Sequence, residues 1–204
     1  PHGSGKTTLM RGLTGLIQAN DRVYGNVLLS GQDVLKCEPT DALLPLGYCP
    51  QRLVDWKGKG KEVLRPELTV HQLLTLFARV KGVPPFYEEE YRDKMVQQFK
   101  LKDIIEQYFH ALDMFEKKKV SLACAFVHNP HFVVLDEPFE DLDDYQIDSL
   151  LIMLKRALDG KALLLVTRNV QAAGLLVGSS GRLGVLDDGV LVAIAAKRRL
   201  LQLY

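Results

Sequence analysis

Gly3-Ser4-Gly5-Lys6-Thr7-Thr8 carries the last part of the pattern G-x-x-x-x-G-K-[ST], a phosphate-cradling loop that runs into a helix. The first glycine of the pattern would be the residue before Pro1, so the chain reads as a fragment that starts inside its motif, with the feeding strand expected further upstream. The residue types follow from the chemistry of phosphate. Successive backbone N–H groups wrap a dense anion only where side chains stay clear, hence Gly3 and Gly5. The helix that follows offers unpaired N–H groups and the positive end of its dipole. Ser4 and Thr8 complete the loop and the first helical turn; Lys6 is placed to reach the β- and γ-phosphates as a point charge. Thr7 is placed to put a hydroxyl on Mg²⁺, which keeps most of its other ligands as water and phosphate oxygen. Leu9, Leu13, Leu16 and Ile17 recur at helical spacing and predict the apolar face of that helix.

The rest of the chain is read outward from this loop. Residues 26–30 form a strand candidate between Gly25 and Gly31, and Leu46-Gly47-Tyr48-Cys49-Pro50-Gln51 reads as a short strand ending in a polar loop. Lys57-Gly58-Lys59-Gly60-Lys61 reads as a solvated basic loop. From Thr69 the period becomes helical: Thr69 caps a helix whose apolar face is Val70, Leu73, Leu74 and Phe77, ended by Gly82 and Pro84-Pro85. A second helix starts at Glu88-Glu89-Glu90 and buries Tyr91, Met95 and Phe99; a third runs over about residues 117–128. Residues 69–128 are therefore expected to be all helical. The continuous apolar run Phe132-Val133-Val134-Leu135 marks a strand buried on both faces, as in a parallel sheet. Ile147, Leu150, Leu151, Leu154 and Leu158 predict a helix stopped by Asp159-Gly160, residues 162–167 a further buried strand, and Asp188-Gly189 the turn of a hairpin. Strands alternating with helices give an α/β class.

Asp136-Glu137 closes the apolar run at 132–135. Ligands in open α/β sheets bind at the carboxyl ends of strands, so a second half of a nucleotide site belongs here. Asp136 is expected to hold Mg²⁺ through water, and Glu137 to act as general base on an attacking water. Asp141, Asp143 and Asp144 lack calcium-loop spacing and read as a solvated turn.

Bulk composition excludes several classes. The 204 residues, 47% hydrophobic, can bury a core. A net charge of +1 gives no electrostatic support for nucleic-acid binding. Cys37, Cys49 and Cys124 are odd in number and far apart, which favours reduced thiols over disulfides or a metal site. His71, His110, His128 and His131 show no ligand spacing, and His2 reads as shaping the phosphate loop.

The loop tail, Gln51 and Leu135-Asp136-Glu137-Pro138, with a helical insert between the last two, together resemble an ABC-type ATPase domain. Gly47-Tyr48-Cys49-Pro50-Gln51, Glu67-Leu68-Thr69-Val70, Ala78-Arg79-Val80-Lys81-Gly82-Val83 and Asn129-Pro130 are similar to the A subfamily of ABC transporters, which is associated with lipid export. The resemblance implies a P-loop NTPase core with a mostly parallel sheet, formed by residues 1–68 and 129–204, and an inserted helical subdomain over 69–128. It implies ATP and Mg²⁺ as cofactors, Gln51 as a sensor of Mg²⁺ and the attacking water, and Asp143 as the D-loop aspartate. It also puts the adenine-stacking aromatic upstream of the loop rather than at Tyr48 or Trp56. A second ABC ATPase domain and transmembrane domains are the implied partners, and the cytoplasmic face of a membrane the implied location.

Two departures from the family pattern stand out. The Ser-Gly-Gly signature that completes the partner's site corresponds here to Leu112-Asp113-Met114-Phe115, and no glycine lies between Gly82 and Gly160. Without glycine the backbone cannot approach a γ-phosphate closely. The switch histidine expected after residues 163–167 is replaced by Arg168, and no histidine follows His131. Arginine can contact a γ-phosphate as a fixed cation but cannot cycle a proton near neutral pH. Three readings stay open: a slow transporter motor, an ATP-gated clamp without hydrolysis, and a soluble ABC-type ATPase.

Overall fold

The computed structural model describes residues 4–14, 24–29, 31–33, 36, 45–51, 64–178 and 181–196. The chain divides into two compact units, Leu44–Leu165 on one hand and Pro1–Leu43 with Val166–Tyr204 on the other. The basic loop at 57–61, Trp56, Cys37, Leu16 and Ile17 lie outside the described residues.

In the unit Leu44–Leu165 a sheet runs in the order β3-β4-β5, with β3 at Leu46–Cys49, β4 at Phe132–Asp136 and β5 at Ala162–Val166. Strands β3 and β4 are parallel, with Gly47 beside Val133 and Cys49 beside Leu135. The apolar run at 132–135 is buried as its sequence requires, Val133, Val134 and Leu135 having no solvent contact. Strand β5 was expected to be equally buried, but none of its residues is. It is the last strand in the described order, and an apolar run cannot announce whether a neighbour covers it.

Four α-helices among the described residues belong to the same unit. Helix α2 (Val70–Val80) begins at a capping box: Thr69 Oγ1 accepts from the Gln72 N–H at 3.2 Å, and Gln72 Oε1 accepts from the Thr69 N–H at 3.0 Å. It buries Val70, Leu73, Leu74 and Ala78. Helix α3 (Glu88–Gln98) starts with the expected acids, and Glu88 accepts from Arg79 Nε at 2.8 Å. Met95 and Phe99 are buried, and the Phe99 ring lies 5.8 Å from that of Phe126. Helix α4 (Met114–Phe126) starts three residues before the expected 117. Asp113 Oδ1 accepts from the Glu116 N–H at 2.7 Å, and Glu116 Oε2 accepts from the Asp113 N–H at 3.1 Å. This reciprocal pair satisfies two donors at the helix start and fixes the boundary there. Helix α5 (Asp144–Ala157) is capped in the same way by Asp143 and Gln146, and buries Leu150, Leu151, Met153 and Leu154. Gly160, at φ +68°, follows its end.

In the other unit, helix α1 (Lys6–Leu13) follows the phosphate loop. The face led by Leu9 was expected to be inside. Instead Met10 and Thr14 are buried and Leu9 is exposed: a shift of one residue, about 100° around the helix axis, exchanges the set at 9 and 13 for the equally spaced set at 10 and 14. Strands β1 (Leu28–Leu29) and β2 (Gln32–Asp33) form a two-residue antiparallel pair, shorter than the strand expected at 26–30. Helix α6 (Val170–Leu176) is capped by Asn169, whose Oδ1 accepts from the Ala172 N–H at 2.8 Å. Strands β6 (Arg182–Asp187) and β7 (Val190–Ala196) form the expected hairpin. Asp188 and Gly189 both take positive φ, +43° and +76°, as the tight two-residue turn demands.

Candidate active site

The phosphate loop lies in the second of these units, and its described part is Ser4 onward; Gly3 lies outside it. Gly5 takes φ +84° immediately before α1, and its carbonyl accepts the first helical bond, from the Leu9 N–H at 2.9 Å. A side chain at Gly5 would be strained by that backbone angle and would meet Gly189 Cα at 3.3 Å. The loop is held against the β6–β7 turn, whose Gly189 N–H donates to the Ser4 carbonyl at 3.1 Å. Ser4 is buried, and Lys6 Nζ donates to its hydroxyl at 2.8 Å. The loop thus presents an ammonium, the Thr7 and Thr8 hydroxyls and a helix start at one place, a donor set matched to phosphate.

In the unit Leu44–Leu165, β3 and β4 end side by side and deliver Gln51, Asp136 and Glu137. Asp136 is 1% exposed and Glu137 is buried beside it. Glu137 adopts φ +46°, a left-handed conformation rare outside glycine that turns the chain sharply at the end of the strand. Three residues on, the Glu140 carboxylate accepts from Gln51 Nε2 with both oxygens, at 3.0 and 2.9 Å. Lys118, on α4 and only 3% exposed, reaches the same corner from below. Its Nζ donates to the Gln51 carbonyl at 3.3 Å and lies 3.5 Å from the Glu137 carbonyl. Cys49, two residues before Gln51, has its Sγ 3.4 Å from Ser121 Oγ. Burial pushes the Cys49 thiol well up; Lys118 and the Ser121 hydroxyl pull it back, and Asp136 adds to the rise.

A buried carboxylate at a strand end is the hard oxygen ligand that Mg²⁺ accepts, and Mg²⁺ needs only one or two such groups beside phosphate and water. Asp136 fits that requirement. Among the described residues no group of three or more His, Cys, Asp or Glu is placed to hold a metal ion. Gln51, Asp136 and Glu137 are brought together in one unit, Ser4 to Thr8 in the other. Arg168 follows β5 in that other unit and is exposed, one residue before the α6 cap. Lys118 and Glu140 were absent from the residues expected at the site. For Lys118 a signal existed: Lys118, Ser121, Leu122 and Ala125 recur at i, i+3, i+4 and i+7, so the lysine belongs to the buried stripe of α4.

The family model described as "ABC transporter" matches residues 1–140. The chain belongs to the ABC transporter family. Relatives of the A subfamily span nearly all of it: mouse ATP-binding cassette sub-family A member 9 is 30% identical, covering 89% of this chain and 11% of the relative. Arabidopsis thaliana ABC transporter A family member 11 is 28% identical, covering 98% of this chain and 20% of the relative. The chain therefore spans a tenth to a fifth of these relatives' length. The lipopolysaccharide export system ATP-binding protein LptB of Haemophilus influenzae is 28% identical over 74% of this chain and 58% of its own. Among solved structures, an ATP-binding subunit of an ABC transporter superposes with a TM-score of 0.79 at 24% identity, covering 100% of this chain and 80% of its own. A dimeric ATP-binding cassette in a post-hydrolysis state with ADP and Pi gives 0.78 at 20%, covering 97% and 83%. The fold is that of the P-loop ABC ATPases, and the domain is an A-subfamily-like ATP-binding domain. No helix among the described residues is long and apolar enough to cross a membrane.

Proposed function

We propose that this domain binds Mg·ATP, hydrolyses it slowly, and energises transport of a lipidic substrate by the membrane protein that carries it. The observation that supports this most is the buried Asp136-Glu137 pair at the end of β4, with Gln51 anchored beside it. A domain that only bound ATP would have no use for a general base after the aspartate. The phosphate loop (Gly3, Ser4, Gly5, Lys6, Thr7, Thr8) binds the phosphates, with Lys6 countering their charge. Thr7, Gln51 and Asp136 are the residues that would hold Mg²⁺, which supplies charge neutralisation to the phosphates when bound. Glu137 orients the attacking water and accepts its proton. Arg168 provides a fixed positive charge toward the γ-phosphate but no proton, and loss of such a transition-state contact costs roughly 10²–10³ in rate. The A-subfamily relatives and the lipopolysaccharide-export relative support a lipidic substrate.

On this reading residues 69–128 form the helical subdomain and residues 1–68 with 129–204 the nucleotide core. The domain works against a second ABC ATPase domain and transmembrane domains, at the cytoplasmic face of a membrane, without nucleic acid. A second reading, an ATP-dependent clamp without hydrolysis, is favoured by one observation: the start of α4, where the family places its Ser-Gly-Gly signature, is occupied by Asp113, Met114 and Phe115 and capped by the Asp113 carboxylate. Steady-state ATP hydrolysis by the full-length protein, with Glu137→Gln alongside, separates the two. Turnover that vanishes in the variant identifies this half as a motor; turnover that persists unchanged leaves it a clamp and puts the chemistry on the partner.

A further inference from the structure

Gln51 is gripped at two points by residues outside the expected site. Its backbone carbonyl accepts from the buried Lys118 ammonium, which at the same time approaches the Glu137 carbonyl. Its side-chain amide donates to both oxygens of Glu140. Glu140 is itself fixed by a turn, since its N–H donates to the Glu137 carbonyl at 3.2 Å and the next residue, Asp141, holds φ +62°. The chemistry of the side-chain contact is directional. An ionised carboxylate only accepts, whereas an amide has a donating NH₂ end and an accepting carbonyl end. Glu140 therefore selects the NH₂ end and turns Oε1 away from itself. A hard cation takes an amide only through that oxygen. Glutamine left alone would sample both orientations and several rotamers, and only a fraction of them would present oxygen.

We propose that Glu140 and Lys118 are positioning residues that mount Gln51 with its amide oxygen turned away from Glu140, so that the site's preference for metal-bound ATP over free ATP depends on them. The inference rests on the reading of Gln51 as a cation ligand given above. Lys118 holds the backbone from which the side chain extends and Glu140 holds the tip, so either loss frees the amide without touching the phosphate loop.

The test is equilibrium ATP binding to the full-length protein, measured once with Mg²⁺ and once with excess EDTA, for the unmodified chain, Glu140→Gln and Lys118→Met. Glu140→Gln keeps size while removing the charge and the acceptor-only character, so it carries the decision if Lys118→Met folds poorly. The expected result is that the Mg²⁺-dependent gain in ATP affinity falls about tenfold in Glu140→Gln, the size of a lost charge-assisted hydrogen bond, while affinity in EDTA stays unchanged. An unchanged Mg²⁺ gain in Glu140→Gln overturns the proposal. Equal losses with Mg²⁺ and with EDTA also overturn it, since they mark a merely structural role. Absence of ATP binding by the unmodified chain would instead defeat the underlying nucleotide-site reading, and the proposal with it.

Discussion

Gly47 is the position at which one added methyl group should do the most damage. It lies in the interior of β3, beside Val133 of β4, and a Cβ built on it would sit 2.6 Å from the Ala125 carbonyl oxygen and 2.7 Å from Pro130 Cγ. Ordinary contact begins at 3.4 Å, so Gly47→Ala must separate β3 from the end of α4 by about 0.8 Å (3.4 − 2.6). Neither neighbour is the far end of a flexible side chain: one is backbone, the other a proline ring. Overpacking of this kind costs typically 1–3 kcal/mol, and two simultaneous clashes put the expected cost at about 3 kcal/mol. For a domain of this size that lowers the melting temperature by roughly 6–12 °C. The same shift displaces Gln51, four residues along the chain, so hydrolysis falls with stability. Thermal unfolding followed by limited proteolysis of the full-length protein reads the first effect. Gly12→Ala is the matched control: Gly12 is inside α1 with nothing within 4 Å of an added Cβ, and alanine there should stabilise by about 0.5–1 kcal/mol. A Gly47→Ala protein that melts within about 1 °C of the unmodified one would refute the packing argument.

Other expectations concern charge and burial. Asp113→Ser retains a good helix cap and removes the negative charge, so stability should change by less than about 0.5 kcal/mol while ATP turnover at the partner's site rises; Asp113→Ala should cost about 1 kcal/mol and is the stability control. Burial, with Lys81 and Lys161 nearby, lowers His128 to about 4, and neither ring nitrogen has a hydrogen-bond partner among the described residues. A histidine whose folded pKa lies below its unfolded value of about 6.5 leaves stability intact above that pH and erodes it as pH falls toward 4, here on the order of 1–2 kcal/mol after solvent screening. Denaturation at pH 7 and pH 4.5 should show this loss, and His128→Gln should shrink it. Cys49 and Cys124 are buried with thiols pushed up by burial, so neither should react with a maleimide in the folded protein at pH 7.5, and both should react once it is denatured.

What could be read from the sequence follows from which forces are local. The phosphate loop, the capped helix at Thr69 and the Asp188-Gly189 turn depend on a few adjacent residues, and each has the structure its residues require. The start of α4 is equally legible, because Asp113-Met114-Phe115-Glu116 has the spacing of a capping box, three residues before the expected start at about 117. The run at 162–166 has the composition of the run at 132–135, yet only the latter is flanked on both sides in the described sheet. Neighbour relations of that kind are tertiary and leave no trace in the strand itself. Glu140 is the clearest case: nothing in Phe139-Glu140-Asp141 distinguishes a solvated acid from one that holds Gln51, 89 residues earlier in the chain.

Helix α4 joins the two halves of the functional argument. Asp113 caps its start and Lys118 stands five residues further on, about 7.5 Å along the axis. A phosphate approaching the cap end would gain the helix-terminus attraction of about 0.3–1 kcal/mol. It would meet the Asp113 carboxylate at the same place, and two unit charges 4 Å apart repel by about 4 kcal/mol at an effective dielectric of about 20. Repulsion wins by several-fold, and Met114 and Phe115 add side chains where the backbone would have to come close. The cap end of the helix is thus unsuited to another domain's nucleotide. Its middle, through Lys118, still secures Gln51 and Glu137 of its own chain. On the proposed reading such a domain would depend on a partner's signature for its own turnover and return a poor one, so the two ATP sites of the assembled pair should differ in rate even when both bind nucleotide.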